Sequence, residues 1–361
     1  MTIQNLPLAE KTNISSWNFD ELITESITKK SFVLNEELLT KNTIVIVDGE
    51  IVHQQLTPNI EINTDFDKHR NPENKLIVLN NKENNSSIEI TVAKNENIIE
   101  PLHLYVIGHK RSLVHKTKLS LNTSANLELT ETYISNINAN VNIISEVLVG
   151  ENAQLKINTV SELHSKTYNY HHKHTEVKKN GSVESTNFII NDANIVFEDF
   201  TYLQGTAAEA QTKTVSITTQ EQKQNMTIRI ENIAPKSVGN IINYGITKDT
   251  AHLAFNGVGK IQKDAKGCDN QQETRMLNLS KTAEAVANPF LLIDEGDITA
   301  GHAASIGQLD EEQIYYLMSR GMSRDAASKL IVAGFLTPFI DSLKDETLRE
   351  TLANRIEKKL I

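Results

Sequence analysis

The chain has 361 residues, enough for a large core or two domains, and carries a formal charge of -10, from 36 Lys and Arg against 46 Asp and Glu. That balance, with no basic tail, argues against nucleic acid as a partner. No apolar run approaches the roughly 20 residues of a membrane span, and the opening MTIQNLPLAEKTN lacks a basic-then-apolar leader pattern, so a soluble cytoplasmic protein is expected. The single cysteine, Cys268, excludes an internal disulfide and any cluster site built from this chain's cysteines alone.

Taken in order, residues 1 to about 40 read as helical, with Trp17, Phe19, Leu22 and Ile23 able to share a face and Asn18 or Asp20 as caps. Thr43 to Val52 reads as two short strands around Asp48-Gly49, a hairpin signal. Residues 64–74 form a polar loop. From about 76 to 300, short runs rich in Val, Ile and Thr alternate with Asn, Gly and Ser clusters, and helical periodicity nearly vanishes.

A repeat lies inside this region. Leu127, Leu155 and Val183 each follow a polar turn and are spaced 28 residues apart. A fixed period with one turn per unit suggests stacked coils, although regular hairpins of a β-sandwich could imitate it. An open stack leaves unpaired backbone at its ends, which invites caps or a strand from a partner.

Phe290 to Ile293 reads as a buried strand. A polar, Gly-flanked loop carrying His302 follows, with Ala300, Gly301, Ala303, Ala304 and Ser305 around it leaving room for close packing. Asp310 then caps a helix with Glu311 and Glu312 in its first turn. Its apolar stripe is Ile314, Tyr315, Leu317 and Met318, and Gly321 ends it. Ser323 caps a second helix through Leu336. Thr337 caps a third, with Pro338 at its first position and Lys358 and Lys359 at its end. So much apolar surface must cover the end of the β domain or dock a partner, and Phe335, Leu336, Phe339, Ile340 and Leu343 are the candidates. The expected division is 1–75 for the N-terminal segment, 76–305 for the β core and 306–361 for the helical domain.

Other motifs carry less. Gly257-Val-Gly259-Lys260 lacks the first Gly and final Ser or Thr of a phosphate loop, since Ala254 and Ile261 hold those places, so no ATP site is expected on this chain. His164, His171, His172 and His174 suggest a metal cluster, but on a strand His171 would point away from the other two, and a solvated polar strand is expected. Cys268 has no neighbouring cation in sequence to activate it and reads as a half-buried thiol in a turn. A carbohydrate-cleaving β-helix would need paired carboxylates and aromatic subsites, and aromatics are only 5% of the chain.

The string AGHAASIGQLDEEQIYYLMSRGM from Ala300 to Met322 resembles the C-terminal signature of the SufB/SufD family, scaffold subunits of the Suf iron-sulfur cluster machinery, in its SufD form. The Val47-Asp48-Gly49 turn, Phe255 to Gly257, Gln272 to Arg275 and Leu277 to Ser280 are similar to the family as well.

The resemblance implies a mainly β fold: a right-handed parallel β-helix with an N-terminal α/β segment and a C-terminal α-helical cap. It further implies a non-enzymatic subunit that pairs with SufB through the β-helix and docks the SufC ATPase through its C-terminal helices. Iron or a nascent cluster would be shared with SufB, and His302 would be this chain's ligand. The isolated chain could also pair with a second copy. A flavin is associated with such complexes, and no residue pattern here marks a pocket for one. The chain departs from the family where many SufD proteins carry a cysteine, here Ala300. Ala283 and Ala303 replace the cysteine and glutamate expected of SufB, which leaves most ligands to the partner. The competing reading is a β-helix adaptor with no metal role.

Overall fold

A computed structural model describes residues 17, 19, 22, 23, 42–66, 74–135, 137–163, 168–341, 343 and 345–360. In chain order the strands are β1 (Thr43–Val47), β2 (Glu50–Gln55), β3 (Ile60–Asn63), β4 (Ser86–Val92), β5 (Leu102–Gly108), β6 (Val114–Leu121) and β7 (Asn126–Ser135). Next come β8 (Val141–Val149), β9 (Gln154–Leu163), β10 (Tyr168–Val177), β11 (Ser182–Ile189), β12 (Asn194–Leu203) and β13 (Glu209–Thr218). The last six are β14 (Lys223–Asn232), β15 (Val238–Thr247), β16 (His252–Ile261), β17 (Cys268–Asn278), β18 (Glu284–Ile293) and β19 (Ile298–Gln308). Four helices complete the description: α1 (Lys75–Glu83), α2 (Glu311–Ser319), α3 (Arg324–Ile340) and α4 (Glu346–Leu360).

From β4 onward the chain alternates between two sheets, so each pair of consecutive strands is one coil and the coils stack in parallel register. This is a parallel β-solenoid. Leu127, Leu155 and Val183 lie directly over one another on β7, β9 and β11, which is the origin of the spacing of 28. The turns before them explain why the spacing is fixed. Ser124, Asn152 and Asn180 adopt left-handed φ of 59°, 54° and 52°. Ser124 N–H donates to Glu151 O (2.8 Å) and Asn152 N–H to Lys179 O (3.0 Å), so each turn is clamped to the next coil.

Apolar side chains from both sheets fill the lumen, among them Leu129, Ile143, Ile195, Phe197, Met226 and Phe255. The outer faces are covered from the two ends of the chain. Trp17, Phe19 and Leu76 pack over Ile144, Tyr170 and Val196 on the β4-containing sheet. Val332, Leu336, Phe339, Leu343, Leu352 and Ile356 cover the other sheet at Val215, Ile217, Tyr244 and Ile246.

Several expectations need correction. Trp17, Phe19, Leu22 and Ile23 are not helical, and the rest of the expected helix to residue 40, including Asn18 and Asp20, lies outside the described residues. A helix absent from the sequence reading, α1, is started by Asn74, whose side chain accepts from Leu76 N–H. The expected break at Thr337 does not occur, because α3 runs to Ile340 with Pro338 inside it. A missing N–H near a helix end removes one hydrogen bond, and burial of Leu336 and Phe339 outweighs that loss. The break comes later, where Asp345 caps α4 by accepting from Leu348 N–H (3.1 Å).

Candidate functional site

The two ends of the solenoid differ. At one end β2 pairs antiparallel with β1 through the Asp48-Gly49 turn, both residues at positive φ, and β3 pairs antiparallel with β4. Glu50, Gln54 and Gln55 are exposed along β2, a polar fringe that blunts the edge. At the other end, among the described residues, β18 and β19 are each paired on one side only, with β16 and β17. Their outer edges therefore present free backbone donors and acceptors, together with exposed Leu292, Ile293 and Ile306.

His302 is on this last coil. The sequence reading placed it in a loop, but it sits mid-strand in β19, in register with Gln272 on β17. Asn270, Gln272, Thr274 and Met276 are the buried, lumen-facing row of β17. Ala300, His302, Ala304 and Ile306 continue that row by register. Among the described residues no further coil covers them, and His302 is exposed. Ala300 is one step along the same row, where a cysteine would have put a thiol beside the imidazole.

Beneath His302 the lumen is closed by amide side chains. Gln272 Nε2 donates to Phe290 O (2.8 Å) across the two sheets, and Asn270 Nδ2 donates to Asn232 Oδ1 (2.7 Å). The strands opposite must be slim to admit them. A Cβ on Gly257 would overlap Gln272 Oε1, and one on Gly259 would overlap Asn270 Oδ1. That is the role of the apparent phosphate-loop glycines, which lie on β16 and not in a loop.

The other candidates fall elsewhere. His171 is sealed in the lumen, while His172 and His174 face outward on β10. His172 Nδ1 lies 3.0 Å from Glu198 Oε2, and His174 Nε2 lies 3.4 Å from Glu176 Oε1. The strand is thus not a solvated one, since His171, His172 and Lys173 are all buried. His164 lies outside the described residues. Cys268 is buried at the start of β17, its Sγ 3.2 Å from Ser237 Oγ. Among the described residues no group of three or more His, Cys, Asp or Glu side chains is placed to hold a metal ion.

The five apolar residues expected to receive a partner turn toward the chain's own trunk. Leu336, Phe339 and Leu343 are buried against it, and Phe335 and Ile340 are half-buried there. The outer face of that sheet is itself apolar and draws them in. The side left uncovered belongs to α2 and α3, where Tyr315 is 75% and Tyr316 57% exposed, with Met318 and Leu330 also open to solvent. Asp310 caps α2 at Glu312 N–H, as the sequence suggests, and Arg324 ties α3 back to Glu311 through a two-pronged pair (2.6 and 2.9 Å). That guanidinium holds the Glu311 carboxyl below its ordinary range.

Residues 105–335 match the family model described as "SUF system FeS cluster assembly, SufBD core domain". The iron-sulfur cluster assembly protein SufD of Bacillus subtilis is 31% identical over 98% of this chain and 90% of its own length. An iron-sulfur cluster assembly SufBD family protein of Staphylococcus saprophyticus is 25% identical over 76% of this chain and 60% of its own. One from Mycobacterium tuberculosis is 23% identical over 56% of this chain and 24% of its own.

Proposed function

The chain belongs to the SufB/SufD family of iron-sulfur cluster assembly proteins, in its SufD form, and from that premise we propose that it is a scaffold subunit whose open end pairs with a SufB-type subunit. The observation that carries this reading is the asymmetry of the solenoid: one end is blunted, and the other offers two unpaired strand edges side by side. A second solenoid meeting those edges extends both sheets through main-chain hydrogen bonds.

In this arrangement His302, on the lumen row of the final coil, lies at the seam. A neutral imidazole is a competent iron ligand, and the remaining ligands for iron or a nascent cluster come from the partner. The metal here is cargo under assembly. Docking of a SufC-type ATPase falls to the exposed side of α2 and α3 around Tyr315 and Tyr316. Only Leu309 and Asp310 separate β19 from α2, so force on the helix reaches the strand that holds His302.

The deciding experiment is an iron titration and cluster-yield assay on the complex reconstituted with partner subunits, comparing wild type with His302→Ala. Intact assembly with reduced iron uptake is expected. Unchanged uptake and yield would leave an adaptor without a metal role.

A further inference from the structure

Charge is buried in the lumen far from the open end. Lys173, on β10, points inward and is fully buried. Its ammonium donates to Thr159 Oγ1 (2.7 Å), Asn187 Oδ1 (3.0 Å) and Ser185 Oγ (3.2 Å), which uses all three N–H bonds. Two buried carboxylates share this interior, Asp199 from β12 and Glu131 from β7.

The two acids are not equally served. Asp199 Oδ2 accepts from Asn187 Nδ2 (2.9 Å) and Ser185 Oγ (3.2 Å) and stands 3.9 Å from the ammonium, while its Oδ1 has no hydrogen-bond partner. Glu131 has weaker support: Oε2 receives a long contact from Thr159 Oγ1 (3.4 Å), the Tyr133 hydroxyl is its other polar neighbour, and its Oε1 lacks a hydrogen-bond partner. The other titratable groups facing Glu131 add no positive charge. They are Tyr133 from its own strand and, packed on the Tyr133 ring, His171 from β10 and His115 from β6, and burial keeps all three neutral at ordinary pH. One cation and two carboxylates would leave a net negative charge sealed from water, a costly state.

We propose that the folded chain takes up one proton and holds it on Glu131, so that Lys173, Asp199 and a neutral Glu131 carboxylic acid make an uncharged set inside the trunk. Burial raises the Glu131 carboxyl above its ordinary value. Attraction to Lys173 and contacts from Thr159 and Tyr133 oppose that shift without cancelling it. A group raised in this way binds its proton more tightly folded than unfolded. Its contribution is therefore complete below the unfolded value near 4.5 and is lost as pH rises through the folded value.

The test compares urea unfolding of the full-length wild type and Glu131→Gln, which mimics the neutral acid, from pH 5 to pH 9. The wild type should lose stability relative to the variant as pH rises, by up to about tenfold in the folding constant per pH unit. Lys173→Met, which removes the ammonium beside both acids, should raise the folded value of Glu131 further and so carry that loss to higher pH. A wild-type to variant ratio that is constant or rises with pH overturns the proposal. Infrared spectroscopy decides even if a variant fails to fold: a protonated-carboxyl stretch in the wild type at pH 6 supports the assignment, and its absence ends it.

Discussion

The ring of Phe339 stands edge-on to that of Tyr244, with centroids 4.6 Å apart and planes at 64°, and this contact fastens α3 to the outer face of the trunk. Phe335 packs on the same tyrosine, with centroids 4.8 Å apart and planes at 40°. The helical tail is thus part of the folded core, and its apolar side is already occupied.

Replacing Leu336 and Phe339 together with Asp should consequently lower the melting temperature sharply. Each buried truncation in such a site costs about 3–5 kcal/mol, before the penalty for burying charge. Tyr315→Asp with Tyr316→Asp should behave in the opposite way. Both rings are exposed, so melting should be unchanged, while co-purification of a SufC-type ATPase is lost. Retained co-purification would place the docking surface elsewhere.

Acid should weaken the trunk through its buried histidines. His115 lies fully inside, its Nδ1 2.7 Å from Ser86 Oγ and its Nε2 2.9 Å from Thr117 Oγ1, and burial lowers its pKa from 6.5 to about 3. The folded chain keeps it neutral while the unfolded chain protonates it. The associated stability is therefore present above pH 6.5 and is lost as pH falls toward 3. His171 moves in the same direction. Measured relative to His115→Asn, in which the Glu131 contribution cancels, the wild-type urea midpoints at pH 7, 6 and 5 should fall in sequence, and a constant difference would rule out the histidine effect.

How much of this is legible in sequence depends on where the cause lies. The coil repeat is legible because Ser124, Asn152 and Asn180 are local turn formers, and each turn sets its strand's register. The Asp310 cap is equally local. His302 reads as a loop residue because Ala, Gly and Ser around it carry no β signal. Pairing with β17, remote from any local rule, makes the strand. The same holds for β10, whose YNYHHKHTEV looks solvated until the coils on both sides bury Lys173 and His171. The inward turn of Leu336 and Phe339 likewise needed their partners Val215 and Tyr244, which the tail's own pattern does not reveal.

Gly257 and Gln272 should show coupled mutations. Gly257→Ala drives a methyl into Gln272 Oε1, so it should destabilise by about 1–3 kcal/mol, the usual cost of overpacking. Gln272→Ala removes the obstacle but leaves Phe290 O without its donor. In the double variant the two costs should fall short of their sum. A double-mutant cycle from denaturation curves measures the difference, and strict additivity would mean that the two side chains do not meet.

The open end can be tested without touching His302. Ile306 sits on the same row of β19 and is 49% exposed in the single chain, so Asp is tolerated there in the free subunit. Against a second solenoid the same carboxylate would lie in a desolvated seam, where a charge with no partner is strongly unfavourable. Ile306→Asp should therefore keep the wild-type melting curve and the far-ultraviolet signature of the trunk, yet fail to elute with a SufB-type subunit on size exclusion. Because β2 and β3 already blunt the opposite end, Val52→Asp on β2 serves as the control and should leave the pairing untouched. Loss of the complex with Val52→Asp and not with Ile306→Asp would assign the interface to the wrong end and defeat the reading of β18 and β19 as the joining edges.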